Sequence, residues 1–339
     1  MNDTIVNNPE WWPHRYDTKQ DAIHFIGVTR EQHRQVAFLT DEYLPSAKQP
    51  KVVSRKVAVA SVKTAPLHFI FHSAYCCSTL LAKVFDMPGI SMGLKEPVIL
   101  NDIIGWKLRG AHPNALNTAL DCSLSLLARP FLDGEAVIVK PSNLINSLAP
   151  QIMQSRPNAK ALFLYAPLED FLVSIARKGM LGRLWVRELM IKQLHAGMIN
   201  LGLQGDDYLQ LTDLQVAAVG WLAQHALFAK LIKQLGGGRV VTLQSDHLMT
   251  SPHDVIKSLA KHFSLNVDSS ELDKIISGPV FQTHSKISTD YDADKREADR
   301  LGGIKLHADE IEKVTIWAKA VAENVGLSLT LPSALVFKN

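Results

Sequence analysis

Short apolar runs alternate with longer helical patterns from about residue 66 onward. The apolar runs cover residues 67–71, 90–94, 136–139, 161–165 and 239–243 and predict buried strands. Helical periodicity is found at 78–86, 98–109, 114–128, 144–154, 169–178, 185–203, 211–235, 253–263 and 308–324. Strands that are apolar throughout and alternate with helices predict a parallel sheet covered on both faces. The fold class is therefore α/β, with a central parallel sheet flanked by helices in three layers.

Residues 1–60 do not follow this pattern. The chain opens on a polar, irregular stretch with Trp11, Trp12 and Pro13, and helical periodicity occurs from Glu31 to Leu44. We predict an N-terminal extension over 1–60 that packs on a single domain over 61–339.

Composition limits the classes of partner. The chain is 47% hydrophobic and 20% charged, with a formal net charge of +3, so we do not expect a broad nucleic-acid-binding face. A local basic pocket for a small anionic ligand agrees with this charge. The N-terminus lacks a leader pattern, and no run of about 18 apolar residues predicts a membrane span. With only three cysteines, a disulfide framework is excluded and a reducing cytoplasm is expected. The oligomeric state cannot be inferred from these features.

Polar residues follow the predicted strands. Parallel sheets bind ligands beyond the carboxyl ends of their strands. After the first strand, the loop that begins at His72 leads into a helix, and Ser78 and Thr79 stand at the start of that helix. A helix N-terminus with added hydroxyl donors suits a phosphate group. The alternative is that these two residues only cap the helix.

The other strand ends add charged groups. Glu96 follows the second strand, Lys140 ends the third, and Ser174 lies on the helix after the fourth. A single charged residue at such a position is ordinarily a solvated surface residue. Several at one sheet edge favour a shared crevice.

Three segments in chain order resemble the family of P-loop sulfotransferases. FIFHSAYCCSTLLAKVFD resembles the phosphate-binding loop of the family, and LYAPLEDFLVSIARKG resembles its 3′-phosphate-binding element. VVTLQSDHLMTSPHDVIKSLAKHFSL resembles a later strand–helix block of the family. The resemblance spans about residues 67–265. It implies a three-layer P-loop fold and 3′-phosphoadenosine-5′-phosphosulfate (PAPS) as the donor.

The resemblance also implies donor-binding roles for particular residues. In the loop, Tyr75 takes the place of a basic residue and Cys77 that of a glycine, with Cys76 between them. Ser78 and Thr79 match hydroxyls that hold the 5′-phosphate.

On the second segment, Ser174 matches the serine that holds the 3′-phosphate, while Ala166 replaces the family's arginine. We expect Arg177, Lys178 or Arg183 to supply that charge. His72 is expected to supply the positive charge that is missing from the loop.

The resemblance implies a catalytic pair as well. Glu96 matches a general base found in one branch of the family, and Lys140 matches a lysine that stabilises the transferring group. The alternative for Glu96 is a salt bridge or a carboxylate at a helix start. Lys286 is our candidate in a C-terminal loop that closes over the nucleotide, where the alternative is a solvated connection.

Three functions compete. The first is transfer of a sulfuryl group from PAPS to a hydroxyl or amine of a small-molecule or glycan acceptor. The second is a non-catalytic protein of the same fold that binds a nucleotide or a partner. The third is a P-loop kinase-like phosphotransferase, although the chain has no GxxxxGK[ST] motif.

Other chemistries find less support in the sequence. Neither Cys76 nor Cys77 is followed six residues later by the arginine of a cysteine phosphatase, so both cysteines are expected to fill space in the loop. The histidines are scattered, and no metal site is expected.

Overall fold

The computed structural model describes residues 2–44, 50–60, 62–282 and 293–336. Its strands are β1 (Trp11–Asp17), β2 (Ala22–Gly27), β3 (Lys51–Ser54), β4 (Leu67–His72), β5 (Ser91–Lys95), β6 (Ala136–Lys140), β7 (Ala161–Tyr165) and β8 (Val240–Gln244). Its helices are α1 (Asn2–Asn7), α2 (Arg30–Gln35), α3 (Arg55–Ala58), α4 (Ser78–Val84), α5 (Val98–Leu108), α6 (Pro113–Leu127), α7 (Ala149–Ser155), α8 (Leu168–Arg177), α9 (Gly179–His195), α10 (Asp213–Leu235), α11 (Ser245–Thr250), α12 (Pro252–His262), α13 (Ser269–Ile276), α14 (Pro279–Gln282) and α15 (Ala293–Asn324). Within these ranges, no helix has the length and apolar character needed to cross a membrane.

The predicted parallel sheet is confirmed. Five strands pair in the order β5-β6-β4-β7-β8, and every neighbouring pair is parallel. All residues of β4, β5, β6 and β7 are buried, which requires cover on both faces of the sheet. The carboxyl ends of these four strands therefore meet at one edge, with β4 in the centre.

Helix α4 lies directly against the sheet. A Cβ atom at Gly93 of β5 would come within 2.0 Å of the carbonyl oxygen of Ala82, so only glycine permits this approach. The helix thereby keeps its first turn close to the carboxyl end of β4.

The N-terminal residues form structure that the sequence did not predict. Strands β1, β2 and β3 make an antiparallel sheet, and β1 packs on α5. The predicted helix from Glu31 to Leu44 is wrong beyond Gln35, because Val36 is already extended. The amide of Leu39 donates to the carbonyl of Lys95, so Leu39 pairs with the main sheet instead of forming a helical bond.

Buried charges attach α2 to the main sheet. Arg30 donates to Asp86 at 3.0 Å and to Glu135 at 2.6 Å, and both carboxylates are buried. Lys95 donates to the carbonyls of His33 and Arg34 at the end of α2, at 2.7 and 3.1 Å. Burial lowers the pKa of Lys95 to about 8, with Asp86 acting in the opposite direction. Helix α2 is thus joined to β5 by hydrogen bonds from charged side chains to backbone carbonyls, and to the residues just before β5 and β6 by ion pairs.

We expect Arg30→Ala to lower the free energy of unfolding by about 3–5 kcal/mol at pH 7, because two buried carboxylates lose their cation. Burial already raises the pKa of Asp86, and loss of Arg30 raises it further. The folded state then binds a proton more readily than the unfolded state, so the destabilisation should be smaller at pH 5 than at pH 8. Urea unfolding at the two pH values measures both effects.

The matched control is Arg34→Ala on the same helix. The Arg34 side chain is 43% exposed and lies 3.9 Å from Glu31, so its loss should cost less than about 1 kcal/mol. Equal losses in the two variants would contradict the anchoring role of Arg30.

Candidate functional site

The loop between β4 and α4 has an unusual backbone. Ala74, Tyr75 and Cys77 have φ angles of 72°, 51° and 61°, a region in which side chains with a Cβ are disfavoured. Cys77 is the N-cap of α4 and has left-handed geometry. The conformation that glycine would favour at position 77 is therefore adopted by a cysteine. Such strain persists where surrounding contacts impose it, and it is concentrated at functional sites.

Those contacts join the loop to β7. The amide of Ser73 donates to the carbonyl of Leu164 at 3.1 Å, and the Ser73 hydroxyl accepts from the amide of Ala166 at 3.3 Å. Cys76 is fully buried, and its thiol lies 3.5 Å from the same Leu164 carbonyl. The loop is thus attached to the neighbouring strand along its length.

His72 does not supply the positive charge expected from the sequence. Its Nε2 lies 2.9 Å from the carbonyl oxygen of Pro141 and so donates to it. Its Nδ1 accepts from the amide of Ala74 at 3.1 Å. An imidazole that accepts at one nitrogen is neutral, so this prediction is wrong and the role of His72 is to hold the loop against the end of β6.

The vicinal cysteines are not joined in a disulfide bond. Burial raises the pKa of the Cys76 thiol to about 11, so it is not a nucleophile at neutral pH. The prediction that Cys76 fills space in the loop agrees with its burial, and Cys77 is partly exposed.

Ser78 and Thr79 begin α4. The N-cap is Cys77, so neither residue caps the helix, and the capping alternative is wrong. Both residues are buried, with exposed fractions of 6% and 2%. Their hydroxyls lie in the first turn of α4, beside the strained loop.

Glu96 and Lys140 form an ion pair at the edge where the strands end. Nζ of Lys140 donates to Oε1 of Glu96, and the amide of Glu96 donates to the carbonyl of Lys140 at 2.7 Å. Lys140 is 1% exposed, whereas the Glu96 side chain is 22% exposed. The ammonium of Lys140 also acts to lower the pKa of Cys76, against the effect of burial. The ion pair therefore lies near the loop 73–77 between β4 and α4. The carboxylate retains free acceptor positions, because each carboxylate offers about four.

Two aromatic residues next to this pair were missed by the sequence analysis. The ring of Phe38 lies 5.3 Å from Nζ of Lys140, and Tyr43 packs edge-on against Phe38. Burial raises the pKa of Tyr43, and the charges of Glu42 and Glu96 add to this. No motif marks these residues, because they come from the segment before the main sheet and reach it only through tertiary contacts.

One face of α8 lies beside the loop. The rings of Tyr75 and Phe171 are 6.0 Å apart, and Nζ of Lys178 lies 5.7 Å from the Tyr75 ring. Ser174 is three residues after Phe171 and four before Lys178, so all three share this face. Tyr75 also packs edge-on against Trp185, and burial raises its pKa to about 12.

The three cations proposed for the 3′-phosphate have different surroundings. Lys178 faces Tyr75, and Arg177 is exposed at the end of α8. Arg183 binds Glu310 at 3.0 Å and lies 3.6 Å from Asp213, so its charge is already paired with two carboxylates in this structure. Lys286 lies outside the described residues. Among the residues that are described, no group of three His, Cys, Asp or Glu side chains could hold a metal ion.

No protein-family model and no curated protein matches the sequence. Among solved structures, the chain is similar to a sulfotransferase domain from the curacin biosynthetic pathway, with 14% identity and a TM-score of 0.44 over 80% of this chain and 100% of that chain. A sulfotransferase domain from the Synechococcus olefin synthase has 14% identity and a TM-score of 0.41 over 80% of this chain and 98% of its own. A sulfotransferase from Mycobacterium avium has 10% identity and a TM-score of 0.42 over 74% of this chain and 77% of its own. Identities and TM-scores this low do not support an inference about function. A function has to be inferred from the chain's own residues.

We expect Cys77→Gly to raise the free energy of unfolding by up to about 1 kcal/mol, because glycine removes the cost of a Cβ in left-handed geometry. The matched control is Cys122→Gly on α6, where the cysteine is buried in a helix. That change should lower the free energy of unfolding by about 2 kcal/mol, since it leaves a cavity and adds glycine to a helix interior. Chemical unfolding of both variants measures these changes. If Cys77→Gly lowers the free energy of unfolding as much as Cys122→Gly does, position 77 does not have the left-handed geometry described here.

Proposed function

We propose that this chain is a sulfotransferase, which transfers the sulfuryl group of PAPS to a hydroxyl of an acceptor molecule. The observation that carries the proposal is the Lys140–Glu96 ion pair at the carboxyl edge of the sheet, next to the strained loop 73–77. A buried cation and a more exposed carboxylate side by side are the two charges that this chemistry requires.

The donor-binding residues are proposed from the same geometry. Ser78 and Thr79, at the start of α4, would bind the 5′-phosphate beside the loop backbone. Ser174 and Lys178 would bind the 3′-phosphate, since they share the face of α8 that lies beside Tyr75. Arg177 is adjacent and remains a second candidate cation. Lys140 would stabilise negative charge on the transferring group.

Glu96 would act as the general base. It takes the proton of the acceptor hydroxyl while the acceptor oxygen forms a bond to sulfur. The bond between sulfur and the phosphate oxygen breaks, which leaves adenosine 3′,5′-bisphosphate and a sulfate ester. Such group transfers depend mainly on positioning and electrostatics, so a rigid base and a buried cation supply most of what is needed.

A second candidate is a non-catalytic nucleotide-binding or partner-binding protein of the same fold. The observation that favours it is the loop itself, which carries no cation: Tyr75 replaces the basic residue and His72 is neutral. Nucleotide binding alone is measured by thermal shift, whereas turnover of PAPS is expected only of the enzyme.

We expect adenosine 3′,5′-bisphosphate at millimolar concentration to raise the melting temperature by several degrees, because a ligand that binds only the folded state stabilises it by mass action. Adenosine 5′-monophosphate, which lacks the 3′-phosphate, should give a smaller shift. Lys178→Met should reduce the shift with the bisphosphate and leave that with the monophosphate unchanged. Differential scanning fluorimetry measures all three.

Arg177→Met is the matched control at the adjacent position. If it removes the bisphosphate shift while Lys178→Met does not, the 3′-phosphate assignment moves to Arg177. The absence of any shift with the wild-type chain would count against donor binding. A larger shift with ATP would instead favour a kinase-like phosphotransferase.

We expect Glu96→Gln to reduce turnover by a factor of about 10²–10⁴, because the amide keeps the size of the side chain and cannot accept a proton. Release of adenosine 3′,5′-bisphosphate from PAPS, with a panel of alcohol acceptors, measures turnover. Binding of the bisphosphate should be retained.

Glu31→Gln, at an exposed carboxylate on α2, serves as the control and should leave turnover unchanged. If Glu96→Gln abolishes nucleotide binding too, the role of Glu96 is structural. If neither the wild type nor the variant turns over while the bisphosphate binds, the non-catalytic function is favoured.

A further inference from the structure

The segment 36–44 lies across the junction of β5 and α5. The amide of Leu39 donates to the carbonyl of Lys95 at 2.7 Å, and the carbonyl of Leu39 accepts from the amide of Val98 at 3.1 Å. These two hydrogen bonds flank Glu96, whose φ angle is 53°. The segment therefore belongs structurally to the edge of the sheet that holds the ion pair.

Ion pairs join this segment to β1. Asp41 accepts from Nε2 of His14 and from Arg15, both at 2.6 Å. Arg15 also makes a bidentate contact with Asp102 of α5, at 2.7 and 2.9 Å. The segment is thus attached to β1 and through it to α5.

The side chains that it presents beside Glu96 are aromatic. Phe38 is half-buried, and its ring lies 5.3 Å from Nζ of Lys140. Tyr43 is 36% exposed, and the two rings meet edge-on with their centroids 5.4 Å apart. Glu96 is 22% exposed, so the carboxylate and both rings are each partly accessible to solvent, and the charge of Glu96 acts on Tyr43.

We propose that Phe38 and Tyr43 form the acceptor-binding wall of the site and select acceptors whose reacting hydroxyl is attached to a flat, apolar group. The proposal rests on the proposed function, in which Glu96 takes the proton of that hydroxyl. Aromatic rings contribute a large apolar contact area with few rotatable bonds. A flat apolar group would place its whole surface against such a wall, whereas a sugar would also need hydrogen-bonding partners for its several hydroxyls.

The test compares two hydroxyl compounds as probes, 2-naphthol and N-acetylglucosamine. Saturation-transfer NMR titrations without nucleotide give the Kd of each for the wild-type chain and for Phe38→Ala. We expect 2-naphthol to bind the wild type more tightly than the sugar does. Phe38→Ala should weaken 2-naphthol binding about 5- to 10-fold, because the ring contributes directly to the contact.

Phe131→Ala is the matched control. Phe131 is also half-buried, and the guanidinium of Arg30 lies 5.4 Å from its ring, which resembles the contact of Phe38 with Lys140. It precedes β6, whereas Lys140 ends that strand. Naphthol binding should stay within twofold of the wild type. Phe38→Leu keeps apolar volume without the ring and should give an intermediate loss, and it replaces Phe38→Ala if the alanine variant does not fold.

Three results would overturn the proposal: no naphthol binding to the wild type, tighter binding of the sugar, or equal losses in the Phe38 and Phe131 variants. A separate titration with adenosine 3′,5′-bisphosphate distinguishes failure of the wall from failure of the proposed function. If the bisphosphate does not bind but naphthol binding depends on Phe38, the proposed donor site is wrong, and Phe38 still forms part of a binding site for flat apolar hydroxyl compounds.

Discussion

A buried ammonium group needs a counter-charge, and this requirement at Lys140 organises the edge of the sheet. The partner is Glu96, at the end of the neighbouring strand, in a left-handed backbone conformation that a glutamate does not favour. Leu39 forms hydrogen bonds on both sides of Glu96 and so supports that conformation. One ion pair therefore connects β5, β6 and the segment that precedes the main sheet.

The loop after β4 depends on the same kind of support. Its left-handed residues each carry a Cβ, and a cost of about 1–3 kcal/mol for such a residue is sustained only by surrounding contacts. Ser73, His72 and Cys76 provide these contacts through β7 and the end of β6. In these contacts His72 is neutral, because its Nδ1 accepts from the amide of Ala74. Positive charge beside the loop comes instead from neighbouring elements, namely Lys140 on β6 and Lys178 at the end of α8.

The strands of the main sheet could be predicted from sequence because they are short, mainly apolar runs between helical segments, and four of the five are buried on both faces, as expected of a parallel sheet between two helical layers. The parallel sheet also implied that Glu96 and Lys140 would share an edge, and the structure brings them into contact. Their catalytic roles stay a prediction. The antiparallel sheet β1–β3 was not predicted, because its strands are mixed in polarity and because Pro13 lies at an irregularity in β1.

The sequence by itself determined the strands of the main sheet, most of the helices between them and the polar residues that end the strands, since these depend on local hydrophobic patterns. Only the tertiary structure decided the protonation of His72, the commitment of Arg183 to Glu310 and Asp213, and the approach of Phe38 to Lys140. The physical reason is that hydrogen bonds and ion pairs between distant segments depend on three-dimensional packing, and no local pattern encodes which partner a side chain will meet.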